Sequence, residues 1–374
     1  MATDLTSDTG IHPGDRAPSS PSSAPPRRPD PVTRAFAFLT ERTVSLYATA
    51  VLRIGYGLLY LSFLLREFPH RNEIWGPGSP WTPDLARELM GQSGWFSILT
   101  LSDGNAYFEA CYALAVVASV LFMLGWHARA TSVLFAIVVT SFGGRDILMS
   151  DGGDNLIVLM SLYLVCTACG RRWSLDARRR RLRAEVRERG RSSARPALSS
   201  AWQQAGLVRE QVIAILHNCG MFVIAAQVCI LYGAASLYKV QGSEWRDGTA
   251  LHYVLNLDLF RPWPSLSHAA DTHQLLVAVA GYMTVLVQVA LPFTLFSRLK
   301  YVVLVLLVTM HLGIAVLMGL PMFSGAMIVA DAVFLSDRFL LRAARIGRGT
   351  FSPRHPVTAE VRSIPRPRRL NRAP

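Results

Sequence analysis

Eight apolar runs, at about 47–68, 105–126, 129–148, 155–170, 212–238, 274–297, 300–319 and 321–340, decide what this chain can fold into. A helix needs roughly 20 apolar residues to cross a bilayer, and most of the runs are near that length. In hydrocarbon each segment must satisfy its own backbone N–H and C=O groups, so such runs are helices. Only 17% of the 374 residues are charged, and most of them fall between the runs. The fold class expected is therefore an all-α membrane protein, a bundle of about eight transmembrane helices.

The net charge of +13 would suggest a nucleic-acid partner in a soluble protein, but its distribution argues against one. With the N-terminus in the cytoplasm, 30 of the 38 lysines and arginines lie on the inner side. The other eight are Arg53, Arg66, Arg71, Arg87, Arg145, Lys239, Arg246 and Arg261. That is the positive-inside asymmetry, and it predicts a multi-pass protein of the cell membrane with both termini cytoplasmic. The partner it implies is the lipid bilayer. Residues 1–35, rich in Pro, Ser and Asp, and the Arg- and Pro-rich 341–374 read as disordered tails flanking a membrane domain at 36–340. Within that domain 171–211 reads as a basic connector, helical through 175–189 and resting on anionic head groups. The five cysteines all sit in apolar runs, which is no disulfide framework, and Cys166-Thr-Ala-Cys169 reads as small residues packing helices.

Polar residues inside or beside the runs are the candidates for function. A cation at the depth of Arg53 costs about 2.5–3.5 kcal/mol on insertion scales, so it either faces protein or snorkels to the interface. Residues 69–104 make a loop longer than a connector needs, with Trp75, Trp81 and Trp95 as interfacial aromatics. Between the third and fourth runs, Arg145, Asp146, Asp151, Asp154 and Asn155 lie close together. They read either as turn chemistry with a local ion pair or as the lining of an outward-facing polar pocket. No metal-ligand spacing appears among them.

The fifth run carries a polar stripe. At 100° per residue Asn218, Tyr232, Ser236 and Lys239 fall on one helix face. The chain holds only two lysines, Lys239 and Lys300, among its 38 basic residues. An amine can lose its proton when desolvated and a guanidinium in practice cannot, so Lys239 is a candidate base. Trp245 and Arg246 follow it, and His311 stands near the middle of the seventh run as a second ionisable candidate.

These residues together resemble a known family. Arg53, Arg171-Arg-Trp-Ser-Leu-Asp176, the series Gln227, Tyr232, Lys239, Trp245-Arg-Asp-Gly248, and Met310-His311-Leu-Gly followed by Met322-Phe323 are similar to the HTTM domain. That domain is the membrane part of vitamin K-dependent γ-glutamyl carboxylase and of many bacterial proteins, among them the sporulation-delaying peptide maturation membrane protein. The resemblance implies a helical membrane domain over most of 35–340, with Lys239 in the place of a base that deprotonates a hydroquinone. It also implies a quinone or hydroquinone as cofactor. A secreted peptide, small molecule or small partner protein would be the substrate or partner, with Arg246, His311 and Tyr232 orienting it or stabilising charge. Two departures argue against a full carboxylase. A family histidine finds only Asn155 or its neighbours here, and the large lumenal domain has no counterpart in the sequence. Two functions stay open at this point. One is an enzyme using Lys239 and His311, with Tyr232, Ser236, Trp245, Arg246, Arg53, Asp154 and Asn155 around the substrate. The other is a non-catalytic component of a peptide export, maturation or immunity system, in which Lys239 and Trp245 anchor the helix end.

Overall fold

The computed structural model describes residues 30, 39–40, 42–145, 150–189 and 200–351. Most of both expected tails, Asp146 and residues 190–199 of the basic connector lie outside the described residues. Among the described residues the helices that carry the argument are α1 (Leu46–Arg66), α2 (Pro83–Ser93), α3 (Asn105–Leu124), α4 (Ala128–Arg145), α5 (Gly152–Val165), α6 (Leu175–Arg189), α7 (Ser200–Gln241), α8 (Ala250–Asn256), α9 (Gln274–Thr294), α10 (Lys300–Leu317), α11 (Pro321–Asp331) and α12 (Asp337–Phe351). No strand occurs among them. The basic connector is helical at the expected place, whereas α12 carries helix into 341–351, assigned from the sequence to a disordered tail.

Among the described residues five helices are long and apolar enough to cross a membrane: α1, α3, α7, α9 and α10. The other three expected spans also form helices, but of a different kind. Arginines near both ends of α4 and several hydroxyls along it dilute its apolarity, and its apolar residues Phe135, Val138, Val139 and Phe142 are buried in protein. The remaining two are short, with 14 residues in α5 and 11 in α11. At about 1.5 Å per residue α5 reaches roughly 21 Å, less than the hydrocarbon core of about 30 Å. Counting apolar residues overran the turns. The Cys166–Cys169 stretch leaves the helix, and α11 passes into a 3-10 turn at Ala332–Phe334.

Helices α1 and α3 run antiparallel. Tyr112 of α3 donates to the carbonyl of Leu64 in α1, while Gly57 lies against Met123. The bundle therefore has two ends, named here for the cations they hold. The Arg53 end gathers the start of α1, the α3–α4 hairpin and the turn before α6. The Lys239 end gathers the end of α7, residues 68–104, the start of α5 and the α10–α11 turn.

At the Arg53 end one side chain pins the loops. Arg53 is wholly buried and donates to the carbonyl of Cys169 at 2.8 Å and to that of Trp173. Asp176 accepts from the backbone N–H groups of His127 and Ala128 at 3.0 and 2.7 Å. Gly125, at φ 66°, closes α3 with its N–H on the carbonyls of Leu121 and Phe122, a conformation that a Cβ disfavours. The Arg-Arg-Trp-Ser-Leu-Asp segment is thus a tie between hairpins. His217 extends the tie, accepting from the N–H of Ala168 and bonding the carbonyl of Val44 at 2.7 Å. Asn218, the first residue of the expected stripe, donates to the carbonyls of Leu39 and Arg42.

A second buried guanidinium organises the other end. Arg145 donates to the carbonyls of Trp81 and Gly76, holding the 69–104 segment down. Within that segment Trp75 is buried among Phe63, Tyr112 and Phe142 rather than set as an interfacial belt. Arg87 of α2 bonds Asp84 at 2.7 Å and Asp103 at 2.8 Å, closing the loop on itself.

Two outcomes follow. Removing the guanidinium in Arg53→Gln strands the Cys169 and Trp173 carbonyls, at a cost of about 1–3 kcal/mol. Thermal unfolding in detergent should move down for this variant and not for the exposed Arg178→Gln. In the loop, the hydrogen bond from Arg87 holds the Asp103 carboxyl below its ordinary value. Its contribution is complete above the unfolded carboxylate pKa and is lost as pH falls through the lowered folded one. Amide exchange across 83–103 should therefore quicken in that acid range, and Arg87→Gln should remove the dependence.

Candidate functional site

Three helices converge on Tyr232 of α7. The side chain is wholly buried, and its hydroxyl lies 3.0 Å from Nε2 of His311 on α10 and 3.1 Å from Oδ2 of Asp331 on α11. His311 and Asp331 are 2% and 3% exposed, so all three polar groups meet in the protein interior. Tyr56 of α1 lies beside them, donating to the carbonyl of Ala326 at 3.1 Å. Phe323 of α11 meets the His311 ring edge-on, with centroids 5.8 Å apart.

Lys239 lies two turns further along α7. Side chains on a helix lean toward its N-terminus, so a lysine at the C-terminal end points back into the bundle. Nζ donates to Gln288 Oε1 of α9 at 3.1 Å and to the carbonyl of Ala235 at 3.3 Å. Gln288 in turn reaches Met310 Sδ at 3.6 Å, beside His311. No carboxylate pairs with Lys239 among the described residues; the groups it touches are neutral oxygens and the Trp245 ring, 5.4 Å from Nζ. The amine is half-buried, and the neighbouring Leu237, Tyr238 and Leu286 are exposed on the apolar flank of the bundle.

The remaining sequence candidates divide. Ser236 is buried on the same face but bonds the carbonyl of Gly233 in its own helix at 2.8 Å. Trp245 caps the amine. Arg246 is exposed, and what holds it is its backbone carbonyl, which accepts from Tyr282 at 2.8 Å. Arg53 is absorbed in the loop tie at the opposite end. Asp154 closes a capping box with Asp151, and Asn155 donates to the Asp151 carbonyl, which is the turn reading. Even so, Asp151 and Asp154 also line a cleft of about 190 Å³ with Arg66, Glu67, Pro321 and Met322. This cleft opens beside the turn that carries Phe323.

The cleft depends on close backbone approach. A Cβ on Gly153 would stand 2.6 Å from Phe323 Cα, so α5 and the start of α11 touch through a missing side chain. Sequence reasoning passed over Asp331 and treated Gln288 as an incidental polar residue in a plain span. Asp331 carried the usual signal, an ionisable group inside an apolar run. It stands in the middle of the 321–340 run. Among the described residues no group of three metal-ligating side chains assembles.

Residues 204–338 match the model of the HTTM domain. The match takes in Tyr232, Ser236, Lys239, Trp245, Arg246, Gln288, His311 and Asp331, and it excludes Arg53, Arg171–Asp176, Asp154 and Asn155. The resemblance expected over most of 35–340 is therefore carried by the second half of the membrane domain. The uncharacterized protein YitO of Bacillus subtilis (strain 168) is 26% identical over 230 residues, which is 59% of this chain. The aligned stretch spans 63% of the length of YitO. No solved structure matches the chain.

The Gly153 contact is open to test. Gly153→Ala forces the α10–α11 turn away from α5 and should lower thermal stability by about 1–3 kcal/mol, the usual cost of overpacking. Gly91→Ala, where the added carbon meets nothing within 4 Å, is the matched control and should melt as wild type does.

Proposed function

We propose that this chain is a multi-pass membrane enzyme in which Lys239 is the general base for a lipid-borne acid of the hydroquinone type. The observation that carries the reading is the direction of the amine. A lysine serving only as an interfacial anchor extends toward water, whereas Nζ here turns inward onto Gln288. The position is reached from the apolar flank, the route an apolar hydroquinone would take. Deprotonation breaks the O–H bond of the hydroquinone and forms an N–H bond on Lys239, leaving an ammonium and a quinolate. Gln288 and the Ala235 carbonyl hold the amine in place, and Trp245 covers it. His311 would stand nearby to steady the developing charge. In this reading the Arg53 end faces the cytoplasm, as the positive-inside distribution requires, and the Lys239 end faces outward. A peptide or small-molecule substrate would enter by the cleft at Asp154.

One observation favours a non-catalytic role. Nζ of Lys239 stands 5.4 Å from the centre of the Trp245 ring, and in the ammonium form that contact would stabilise the helix end by itself. In that case the chain would be a non-catalytic component of an export, maturation or immunity system, with Lys239 and Trp245 anchoring the helix end.

The two lysines make the test direct, because Lys300 is an internal reference. Full-length protein in native membranes is treated with a membrane-permeant amine reagent in the presence of a naphthohydroquinone. Labelling of Lys239 should slow several-fold while Lys300 is unaffected. The bound hydroquinone should show the ionised spectrum with wild type and the protonated one with Lys239→Arg. Unprotected Lys239, or identical spectra for the two proteins, would leave the anchoring role as the better account.

A further inference from the structure

The Asp331–Tyr232–His311 cluster asks for more than packing. A phenol carries one proton, so Tyr232 donates to one neighbour and accepts from the other. Both neighbours lie at hydrogen-bond distance, and each has a proton-bearing and a proton-free form. Beyond the phenol the chain ends on open atoms. His311 Nδ1 and Asp331 Oδ1 are buried with no hydrogen-bond partner. Ser324 Oγ, on the same face of α11 two turns from Asp331, is a third such atom. Each buried unpaired group of this sort costs about 1–3 kcal/mol, and a cluster kept only for packing would be cheaper as Phe, Leu and Asn. The other titratable groups that bear on the cluster are Tyr56 of α1 and Lys239 of α7.

We propose that Asp331, Tyr232 and His311 form a proton relay inside the membrane domain, with the Asp331 carboxyl as its inner terminal and His311 Nδ1 as the end that exchanges protons with solvent. In the starting arrangement Asp331 is a carboxylic acid donating to Tyr232, and Tyr232 donates to the lone pair on Nε2 of His311, whose proton is on Nδ1. Transfer breaks the carboxyl O–H bond and forms a new O–H bond on the phenol. At the same time the phenol's original O–H bond breaks and an N–H bond forms on Nε2. The phenol is neutral before and after. A carboxylic acid and a neutral imidazole have become a carboxylate and an imidazolium. The Nδ1 proton passes to solvent and leaves the other imidazole tautomer; uptake of a solvent proton at the free nitrogen, rotation of the ring and the same two transfers in reverse return a proton to Asp331. No redox partner is needed. The relay does not rest on Lys239 acting as a base: it stands on three side chains from three helices and would serve any reaction that takes up or releases a proton there.

The experiment reads the carboxyl proton directly. Full-length protein in lipid nanodiscs is moved from H₂O to D₂O, and the infrared carbonyl band of protonated Asp331, assigned by its loss in Asp331→Asn, is followed in time. In wild type the band should shift to its deuterated position quickly. In Tyr232→Phe, which keeps the ring and removes the connecting oxygen, exchange should slow by an order of magnitude or more. His311→Gln interrupts the same path at its far terminal, should slow exchange alike, and serves if the phenylalanine variant does not fold. Equal exchange rates in wild type and a folded interrupted variant would overturn the relay, because the carboxyl would then reach solvent by another path. Absence at every pH of a protonated carboxyl band that Asp331→Asn removes would overturn it as well.

Discussion

A polar atom buried in an apolar bundle must be answered by another protein atom, and the architecture of this chain follows from where those answers are found. Water cannot serve the middle of the bundle, so each buried cation or hydroxyl fixes the element that supplies its partner. Arg53 takes two carbonyls from the turn before α6, and Arg145 takes two from the 76–81 loop. Their donors are spent on holding irregular backbone against the helix ends, which lets α4 and α5 pack although α5 is shorter than a full crossing.

The same constraint works differently between α7, α10 and α11. There the answering atoms are side chains on three separate helices, and the account does not close. Tyr232 satisfies one atom each of His311 and Asp331 and leaves the second atom of each unpaired. Short α11 is what brings Asp331 to this depth. It enters the bundle at Pro321, lies against α5 where Gly153 has no Cβ, and ends at Asp331 level with the middle of α7 and α10.

Several features could be read without coordinates. The helical class, the long apolar spans, the isolated lysine and the buried histidine follow from residue type and run length, whereas the likeness to the HTTM domain rested on particular residues and, expected over most of 35–340, is matched over 204–338. Other features were ambiguous because one residue type answers to two environments. Arg53 could line a site or tie a loop, and its spacing in α1 is the same in both cases. Asp154 and Asn155 could line a pocket or cap a helix. The coordinates give them the capping bonds and place Asp154 at the cleft as well.

Local sequence determined what each segment is: which stretches must be helical, which residues are too polar to face lipid, and that one amine stands where arginine is the rule. Tertiary structure alone decided which polar groups meet. Tyr232 and Asp331 are 99 positions apart, and Lys239 and Gln288 are 49 apart. Helical periodicity carries information along one helix and none across to its neighbour. Partners on different helices are chosen by packing, here by a missing Cβ at Gly153 and the early end of α11, which no single run of residues encodes.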